Sequence, residues 1–295
     1  MPVLSRHLRL LQKSNDKHKG AFEKIVARLI DGEPQGEFIE VPKKYPRSPL
    51  RYPGGKTRAI KSIYSCIPKN ETKLCSPFLG GGSIELACTT RMTVYGADIF
   101  EPLIAFWHIL LSNPGQLVER VTSYYPLSKP NFYNLQKRYV NLENEIERAA
   151  AFFVLNRSSF SGTTLSGGMS PGHPRFNESA IERLRVFKAD NFNVECADYK
   201  DVIPKHKDAF LYLDPPYMNG QNLYGIKGDT HKGFDHTALS ELLHKRDRWI
   251  MSYNDCTAIR ELYKNNPILS IEWIYGMSKN KKSNEVLVLS PDLAA

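Results

Sequence analysis

The sequence has few cysteines and lacks any long apolar run. Five cysteines are dispersed along the 295 residues: Cys66, Cys75, Cys88, Cys196 and Cys256. None forms a Cys-x-x-Cys pair, so the spacing argues against a disulfide framework or a zinc site and predicts reduced, mostly buried thiols. No stretch is long and apolar enough to span a membrane, and no secretory leader is recognisable. We therefore expect a soluble, cytoplasmic protein that binds no metal.

Acidic residues are outnumbered by basic ones. The chain has 31 aspartates and glutamates against 40 lysines and arginines, which gives a formal net charge of +9. This balance favours a polyanionic partner, although it does not identify one. With 41% hydrophobic and 24% charged residues, the composition is typical of a globular chain and excludes an intrinsically disordered one.

The first 46 residues differ from the rest and are predicted to form an N-terminal extension, 1–46. Apolar residues at helical spacing predict one amphipathic helix from Lys17 to Ile30. Prolines and basic residues between positions 42 and 47 then indicate a linker. This extension is either a solvated lead-in or an additional basic arm that contacts the partner.

From Lys73 onward, short apolar strands alternate with helices, as in a parallel α/β sheet. The predicted strands are Lys73 to Pro77, Thr93 to Ala97, Phe192 to Cys196, Ala209 to Leu213 and Trp249 to Tyr253, followed by a hairpin of Ile268 to Tyr275 and Glu285 to Leu289. The predicted helices between them are Ser83 to Arg91 with Ser83 at its cap, Glu101 to Leu111, His236 to Lys245 and Ala258 to Lys264. From about Pro114 to Asp190 the alternation is interrupted by helical stretches and a polar, glycine-rich run.

The most distinctive motif is Leu213-Asp214-Pro215-Pro216-Tyr217, directly after an apolar strand. Two successive prolines cannot continue a central strand, so the chain must turn at the carboxyl end of the strand, where open α/β sheets bind ligands. There the Asp214 carboxylate and the Pro215 carbonyl can each accept a hydrogen bond from an amine, and Tyr217 can stack on a planar base. Such a site works by orientation and electrostatics and requires no metal.

Two further motifs indicate a cofactor site. The run Phe78-Leu79-Gly80-Gly81-Gly82-Ser83 follows the first strand, and its glycines allow close approach to a ligand. Asp98 ends the next strand, where a carboxylate can bind ribose hydroxyls, a combination that favours an adenosine-containing cofactor. Upstream, Tyr52 in Arg51-Tyr52-Pro53-Gly54-Gly55-Lys56 could pack against a sulfonium group, and Lys56 could pair with a carboxylate.

In this order, the three motifs resemble those of the Dam-like class of DNA adenine methyltransferases. The resemblance covers about Pro49 to Leu289 and includes Phe153 to Gly162, Arg175-Phe176, Leu223-Tyr224-Gly225 and Phe234-Asp235-His236. It implies a Rossmann-like, seven-stranded α/β methyltransferase sheet with an inserted, mainly helical target-recognition domain. The catalytic domain would comprise residues 47–113 and 191–295, and the recognition domain residues 114–190.

The resemblance also implies an activity and residue roles. The expected reaction is methyl transfer from S-adenosylmethionine to N6 of an adenine flipped out of double-stranded DNA. The implied catalytic residues are Asp214, Pro215, Pro216 and Tyr217. The implied cofactor-binding residues are Tyr52, Lys56, Phe78, Gly80, Gly82, Ser83, Asp98, Asp198 and Asp214. The candidates for DNA contact are Asn156, Arg157, Arg175 and the basic loop Lys279 to Lys282, although Arg157 could equally have a structural role. A monomer encoded by a bacterium or phage is expected, with or without a separately acting restriction endonuclease.

Three alternatives stay open from the sequence. A methyltransferase of the same fold could act on cytosine, RNA or a protein amide, but in the resemblance cytosine enzymes more often carry serine at the position of Asp214, and protein-amide enzymes carry asparagine. A non-catalytic DNA-binding module would be expected to have lost Asp214, Tyr217 or the glycine loop. A restriction nuclease would need a compact Asp/Glu-x-Lys metal site, and none is convincingly placed.

Overall fold

A computed structural model describes residues 41–170, 175–218, 233–271 and 285–294. Within these ranges seven strands form one sheet: β1 (Lys73–Ser76), β2 (Thr93–Asp98), β3 (Phe192–Cys196), β4 (Phe210–Leu213), β5 (Trp249–Asn254), β6 (Ile268–Ile271) and β7 (Glu285–Leu289). The predicted helix Lys17 to Ile30 and the basic loop Lys279 to Lys282 lie outside the described residues.

The strand order is β3-β2-β1-β4-β5-β7-β6. In the described sheet, β7 alone runs opposite to the direction of the other six strands. Strand β1 pairs with β2 on one side and with β4 on the other, all in parallel. The strand order therefore reverses direction between β1 and β4, and ligands bind at such switch points beyond the carboxyl ends of the strands. The predicted α/β sheet, including the terminal antiparallel hairpin, is confirmed.

Ten helices accompany the sheet in the described part of the chain. They are α1 (Ile60–Tyr64), α2 (Ser83–Cys88), α3 (Glu101–Ser112), α4 (Pro114–Thr122), α5 (Lys129–Arg138), α6 (Glu145–Ser158), α7 (Glu178–Arg185), α8 (Tyr199–Lys205), α9 (His236–Leu243) and α10 (Thr257–Leu262). None of these helices has the length and apolar character of a membrane span. Also within the described residues, no group of three or more histidines, cysteines or acidic residues could hold a metal ion.

The two faces of the sheet bury separate apolar clusters because successive strand residues point to opposite faces. In β1, Leu74 belongs to one cluster and Cys75 to the other, and in β4 Phe210 and Leu211 divide in the same way. Helices α1 to α7 contribute to the cluster of Leu74, whereas α8 to α10 contribute to that of Cys75. All five cysteines are unpaired, and three of them are buried.

The helices between residues 114 and 185 pack against α3 or one another and share the apolar cluster of α3 with the sheet. Helix α6 is buried from Ala149 to Ser158, and the ring of Phe153 stacks on that of Phe106 in α3 with centroids 5.7 Å apart. The helical content predicted for this region is present, while its division into a separate recognition domain, 114–190, stays a prediction.

Local chemistry explains where the predicted boundaries were wrong by a few residues. Strand β1 ends at Ser76 because Pro77 has no N–H to donate. Helix α2 ends at Cys88, three residues before the predicted end. Ser83 was predicted to cap α2, but the cap is Gly82, which adopts φ +66°. Residues 156–158 were predicted to begin an irregular run, yet they form the last turn of α6.

Candidate active site

The run Asp214 to Tyr217 leaves the sheet at the switch point. Strand β4 is fully buried and ends at Leu213, so the following turn begins between the carboxyl ends of β1 and β5. Pro215 is buried, while Asp214 and Tyr217 are partly accessible. The strand-to-turn geometry predicted for this motif is present, and it places a carboxylate at the edge of the sheet where ligands bind.

Asp214, which is partly accessible, forms an ion pair with the buried side chain of Lys56. The Lys56 ammonium lies 2.8 Å from each carboxylate oxygen, and the two side chains are 5% and 24% exposed. Lys56 also donates to the carbonyl of Gly54 at 3.0 Å, which helps to orient its ammonium group. Lys56 and Asp214 are 158 residues apart in the sequence. Lys56 was predicted to pair with a carboxylate of the cofactor. Here its carboxylate partner is Asp214, so the upstream motif and the Asp-Pro-Pro-Tyr motif meet in one site.

Tyr217 is held by contacts on both its ring and its hydroxyl. The ring stacks on that of Tyr253 with centroids 5.2 Å apart, and the Lys56 ammonium lies 5.1 Å from its centroid. Its hydroxyl lies 3.0 Å from Glu285 Oε2 and 3.3 Å from Asp214 Oδ1. Burial, together with these two carboxylates, raises the pKa of Tyr217 well above its ordinary value. The tyrosine therefore stays protonated and acts as a hydrogen-bond donor.

Tyr253, in strand β5, supports the turn that follows β4. Its hydroxyl donates to the Pro216 carbonyl at 2.9 Å and also contacts Nδ1 of His236. Burial lowers the pKa of His236, so the imidazole is neutral at physiological pH. Neither Tyr253 nor His236 was among the predicted site residues. Their contacts help to fix the backbone of the turn after β4, where Pro215 and Pro216 have no N–H to donate.

Glu285 is the site residue that the sequence gave least reason to expect. It is the first residue of β7, it is 5% exposed, and its Oε2 lies 3.9 Å from the Lys56 ammonium. Burial raises the pKa of Glu285 to about 7, with Lys56 opposing the rise and Asp214 adding to it. The only signal in the sequence is an acidic residue at the start of an otherwise apolar strand.

The glycine loop lies next to this cluster, at the end of β1. Gly80 and Gly82 adopt φ +49° and +66°, a conformation that favours glycine. A Cβ atom on Gly80 would lie 2.9 Å from the ring of Tyr52. Tyr52 therefore packs on the glycine loop, and any side chain at Gly80 would displace it. Ser83, which was predicted to bind the cofactor, shares a hydrogen bond of 3.2 Å with the hydroxyl of Thr57.

Asp98 links the glycine loop to the end of β2. Its Oδ2 accepts from the backbone N–H of Gly80 and its Oδ1 from that of Phe100, both at 3.0 Å. Burial raises the pKa of Asp98, while these backbone hydrogen bonds oppose the rise. The backbone of Ile99 also lowers the pKa, and a carboxylate has about four lone-pair sites, so one acceptor site remains. Asp98 can therefore accept a further hydrogen bond from a ligand while it fixes the loop.

A cluster of aromatic rings follows at the same edge of the sheet. Phe78, Tyr199 and Phe234 lie with their ring centroids 5.4 to 5.6 Å apart. Asp198 precedes Tyr199 and caps helix α8 by accepting from the Lys200 N–H at 2.8 Å. The structure thus gives Asp198 a capping role, next to apolar rings suited to a planar ligand.

The three residues predicted to contact DNA occupy different environments. Asn156 is fully buried, and its amide is hydrogen-bonded to the backbone N–H and carbonyl of Arg51, to the Gly162 carbonyl and to the Thr164 hydroxyl. Arg157 is 7% exposed and donates to backbone carbonyls of Arg175 and Pro49. Neither side chain reaches the surface in this structure. The Arg175 side chain, in contrast, is exposed.

Comparison with known proteins places this site in a family. The family model described as "D12 class N6 adenine-specific DNA methyltransferase" matches residues 52–277. A "DNA adenine methylase" of Vibrio cholerae is 26% identical over 277 residues, covering 85% of this chain and 99% of the relative. The "DNA N-6-adenine-methyltransferase" of Escherichia phage P1 is 25% identical and covers 81% of this chain, but only 34% of the longer phage protein is matched. A "Type II methyltransferase M1.LlaDCHI" of Lactococcus lactis subsp. cremoris is 23% identical, covering 75% of this chain and 86% of the relative. The chain belongs to the D12 class of N6 adenine-specific DNA methyltransferases.

Proposed function

We propose that the methyl donor is S-adenosylmethionine and that it binds along the ends of β1 and β2. Two observations support the fit. Gly80 and Gly82 adopt positive φ angles that disfavour any side chain, and Asp98, beside the loop, can still accept a hydrogen bond. Asp98 would hold the ribose hydroxyls, and the rings of Phe78, Tyr199 and Phe234 would contact the adenine. Asp198 stays a proposed neighbour of that adenine.

Lys56 would bind the carboxylate of the donor's methionine part. Its present partner is Asp214, at 2.8 Å, so the two carboxylates would compete for one ammonium group. Binding of the donor would weaken the hold of Lys56 on Asp214. Asp214 would then be available to accept hydrogen bonds from the substrate.

The target would be the amino group of an adenine that has left the DNA helix, because a paired base cannot reach this turn. The Asp214 carboxylate and the Pro215 carbonyl each accept one N6 hydrogen, which turns the nitrogen lone pair toward the donor. Pro216 keeps the turn rigid. Tyr217 would stack on the base, which requires a change in its present packing against Tyr253 and Lys56.

The donor, when bound, supplies an electrophilic methyl group on a sulfonium. The adenine nitrogen would form a bond to this methyl group as the carbon–sulfur bond breaks, the donor would leave as a neutral thioether, and the surplus N6 proton would pass to water. The protein orients the amine and stabilises the positive charge that develops on it, which the Asp214 carboxylate does at hydrogen-bond distance. The observation that carries this proposal is the location of Asp214, beside the glycine loop at the switch point of the sheet.

Double-stranded DNA would lie against the basic surface that includes Arg175. Burial lowers the pKa of Arg157 to about 10, and repulsion from Arg183, Arg51 and Arg175 adds to this, so the region is rich in positive charge. We propose that Arg175 contacts phosphate, and that Asn156 and Arg157 hold the segments around Pro49 and Arg175 in place. One copy of the chain would act on one site, and a restriction endonuclease, where present, would act separately.

The test is transfer of labelled methyl from S-adenosylmethionine to duplex DNA, with RNA and protein run in parallel and the product nucleosides identified. Label in N6-methyladenine from DNA is the expected result. Label in cytosine, RNA or protein would contradict the proposed substrate, and absence of any transfer from this donor would contradict the proposed cofactor. Calorimetric binding of S-adenosylmethionine, weakened in an Asp98→Ala variant, checks the cofactor site without relying on activity.

A further inference from the structure

Glu285 is a buried acid whose hydrogen bonding is incomplete. Its Oε2 accepts from the Tyr217 hydroxyl at 3.0 Å, and its Oε1 has no hydrogen-bond partner within the described residues. The nearest cation, Lys56, is 3.9 Å away and is closer to Asp214. Burying a carboxyl group without full pairing costs stability, so its presence beside the catalytic turn suggests a role in function.

The Tyr217 hydroxyl has one proton and two carboxylates within reach. The oxygen of Glu285 lies 3.0 Å away and that of Asp214 lies 3.3 Å away. Because one proton serves one strong hydrogen bond, a bond to Glu285 leaves Asp214 Oδ1 without the Tyr217 proton, so that Lys56 is its remaining partner within the described residues. Asp214 can then accept a hydrogen from the adenine amino group without losing the anchor of Tyr217.

Charge balance leads to the same conclusion. Lys56 is the one ammonium group that the described structure places between the two carboxylates, at 2.8 Å from Asp214 and 3.9 Å from Glu285. If Asp214 turns to the substrate, Glu285 remains beside Lys56 as a second negative charge. Besides the donor carboxylate proposed above, Lys56 would therefore keep Glu285 as an anionic neighbour, and Tyr217 would keep it as a hydrogen-bond acceptor, while Asp214 is engaged in the reaction.

We propose that Glu285 is a positioning residue for methyl transfer, which holds the Tyr217 hydroxyl and balances Lys56 so that Asp214 is free to bind the substrate amine. This inference rests on the proposed function of Asp214. The ionised form of Glu285 is the active one, because a protonated carboxyl would compete as a donor. Glu285 acts through Tyr217 and Lys56 and need not touch the adenine.

Within the described residues, few other titratable groups surround Glu285, and a second buried glutamate, Glu85, lies within electrostatic range of Asp214. Asp214 and Tyr217 face it from the turn after β4, Lys56 from the segment before α1, and Tyr212 from β4. In the sheet, Glu285 is paired in register with Asn254 of β5 and with Ile271 of β6, neither of which titrates. A change in activity near neutral pH would therefore report on Glu285 or on Glu85, because burial raises the pKa of both to about 7, and a variant of each distinguishes them.

The first experiment separates kcat from KM in two variants of Glu285. Glu285→Gln keeps an acceptor but removes the charge, and we expect kcat to fall about tenfold. Glu285→Met removes both, and we expect a fall of about 100-fold. Affinity for S-adenosylmethionine, measured by calorimetry, and KM for DNA should each change by less than about threefold.

A double-mutant cycle with Tyr217→Phe tests the contact itself. In the Tyr217→Phe background, Glu285→Met should lower kcat much less than it does in the wild type, because the hydroxyl that it holds is already absent. Losses that multiply independently would show that the two residues do not act through this hydrogen bond. That result would overturn the proposal.

The pH profile and the thermal stability are two further readouts. They would not both change in Glu285→Gln if Glu285 had only a structural role. In the wild type, kcat should rise as pH passes through about 7, and Glu285→Gln should lack this limb. Glu285→Gln should also have a higher Tm than the wild type. Burial disfavours the ionised carboxyl of Glu285, so this carboxyl lowers the stability of the wild type at pH values above its unfolded-state pKa of about 4.5. The gain in Tm should grow between these two pH values and reach about 2–4 °C above them.

Glu85→Gln is the matched control. Burial also raises the pKa of Glu85 to about 7, but its hydrogen bond goes to the Ser76 hydroxyl at 2.6 Å. This variant should keep the acidic limb of the wild-type profile. Full wild-type kcat and pH profile in Glu285→Gln would overturn the inference and leave the proposed function intact. Absence of methyl transfer in the wild type itself would instead overturn the proposed function.

Discussion

Two buried glutamates at opposite edges of the sheet show how differently the same side chain can be used. Glu71 and Glu285 are each 5% exposed. At the amino ends of the parallel strands, Glu71 accepts from two nitrogens of Arg248, at 2.9 Å from Nε and with a second, shorter contact to Nη2. At the carboxyl ends, Glu285 accepts one hydrogen bond from Tyr217 and shares a distant Lys56 with Asp214.

The contrast indicates a division of labour between the two edges. A carboxylate with a bidentate arginine is satisfied, and it fixes the entry into β1 against the entry into β5. A carboxylate with an incomplete set of partners is costly, but it remains able to change its charge or its hydrogen bonds near neutral pH. We therefore expect residues at the amino edge to contribute mainly to stability and residues at the carboxyl edge to contribute mainly to methyl transfer. Four substitutions test this contrast.

The largest effect is expected at the carboxyl edge, in Asp214→Ala. Loss of the carboxylate removes both an acceptor for the amine and the charge opposite it, so methyl transfer should fall by about 10³-fold or more. Duplex DNA binding, measured by gel shift, should stay close to that of the wild type. Wild-type turnover in Asp214→Ala would contradict the assignment of this residue.

Asn156→Ala tests whether a buried, fully hydrogen-bonded side chain outside the amino edge also contributes to stability. The Asn156 amide is hydrogen-bonded to Arg51, Gly162 and Thr164. Its removal leaves buried backbone groups unpaired, so the free energy of unfolding should fall by about 2–4 kcal/mol in urea titrations. A variant of unchanged stability that bound DNA more weakly would show instead that Asn156 contacts DNA directly.

Glu71→Gln should weaken the amino edge without affecting catalysis. The neutral amide leaves Arg248 without its carboxylate, and because the arginine side chain is 42% exposed, we expect a loss of about 1–2 kcal/mol in unfolding free energy. The value of kcat for the folded enzyme should stay within about twofold of the wild type. A large fall in kcat without loss of stability would break the proposed division.

The smallest effect is expected from Asp208→Asn, at the same amino edge. Asp208 pairs with Lys73, but both side chains are well exposed, so water replaces the contact at little cost. Neither Tm nor kcat should change beyond experimental error. A clear loss of stability would show that exposed pairs at this edge matter as much as the buried pair of Glu71.

Much of the fold follows from local sequence signals. The alternation of apolar strands and helices predicted the sheet, and the two prolines after Asp214 fixed the end of β4 because they cannot continue a central strand. The order of the motifs also indicated the family. These features depend on neighbouring residues, which a pattern in one sequence can reveal.

The remaining features depend on contacts between distant segments. Lys56, Asp214 and Glu285 meet only because the end of β4, the start of β7 and the segment before α1 lie at one edge of the sheet. An acid at the start of an apolar strand is too weak a local signal to identify Glu285. Residues 156–158 were predicted to begin a polar, irregular run. In the structure they are the buried end of α6, satisfied by the Arg51 segment 105 residues away.

The most direct test of the account is a single-turnover measurement of methyl transfer to duplex DNA by the wild type, Glu71→Gln and Asp214→Ala, normalised to the folded fraction of each. We expect N6-methyladenine at comparable rates from the wild type and Glu71→Gln, and essentially none from Asp214→Ala. Equal rates in all three, or loss of transfer in Glu71→Gln alone, would contradict the claim that the carboxyl edge carries the chemistry.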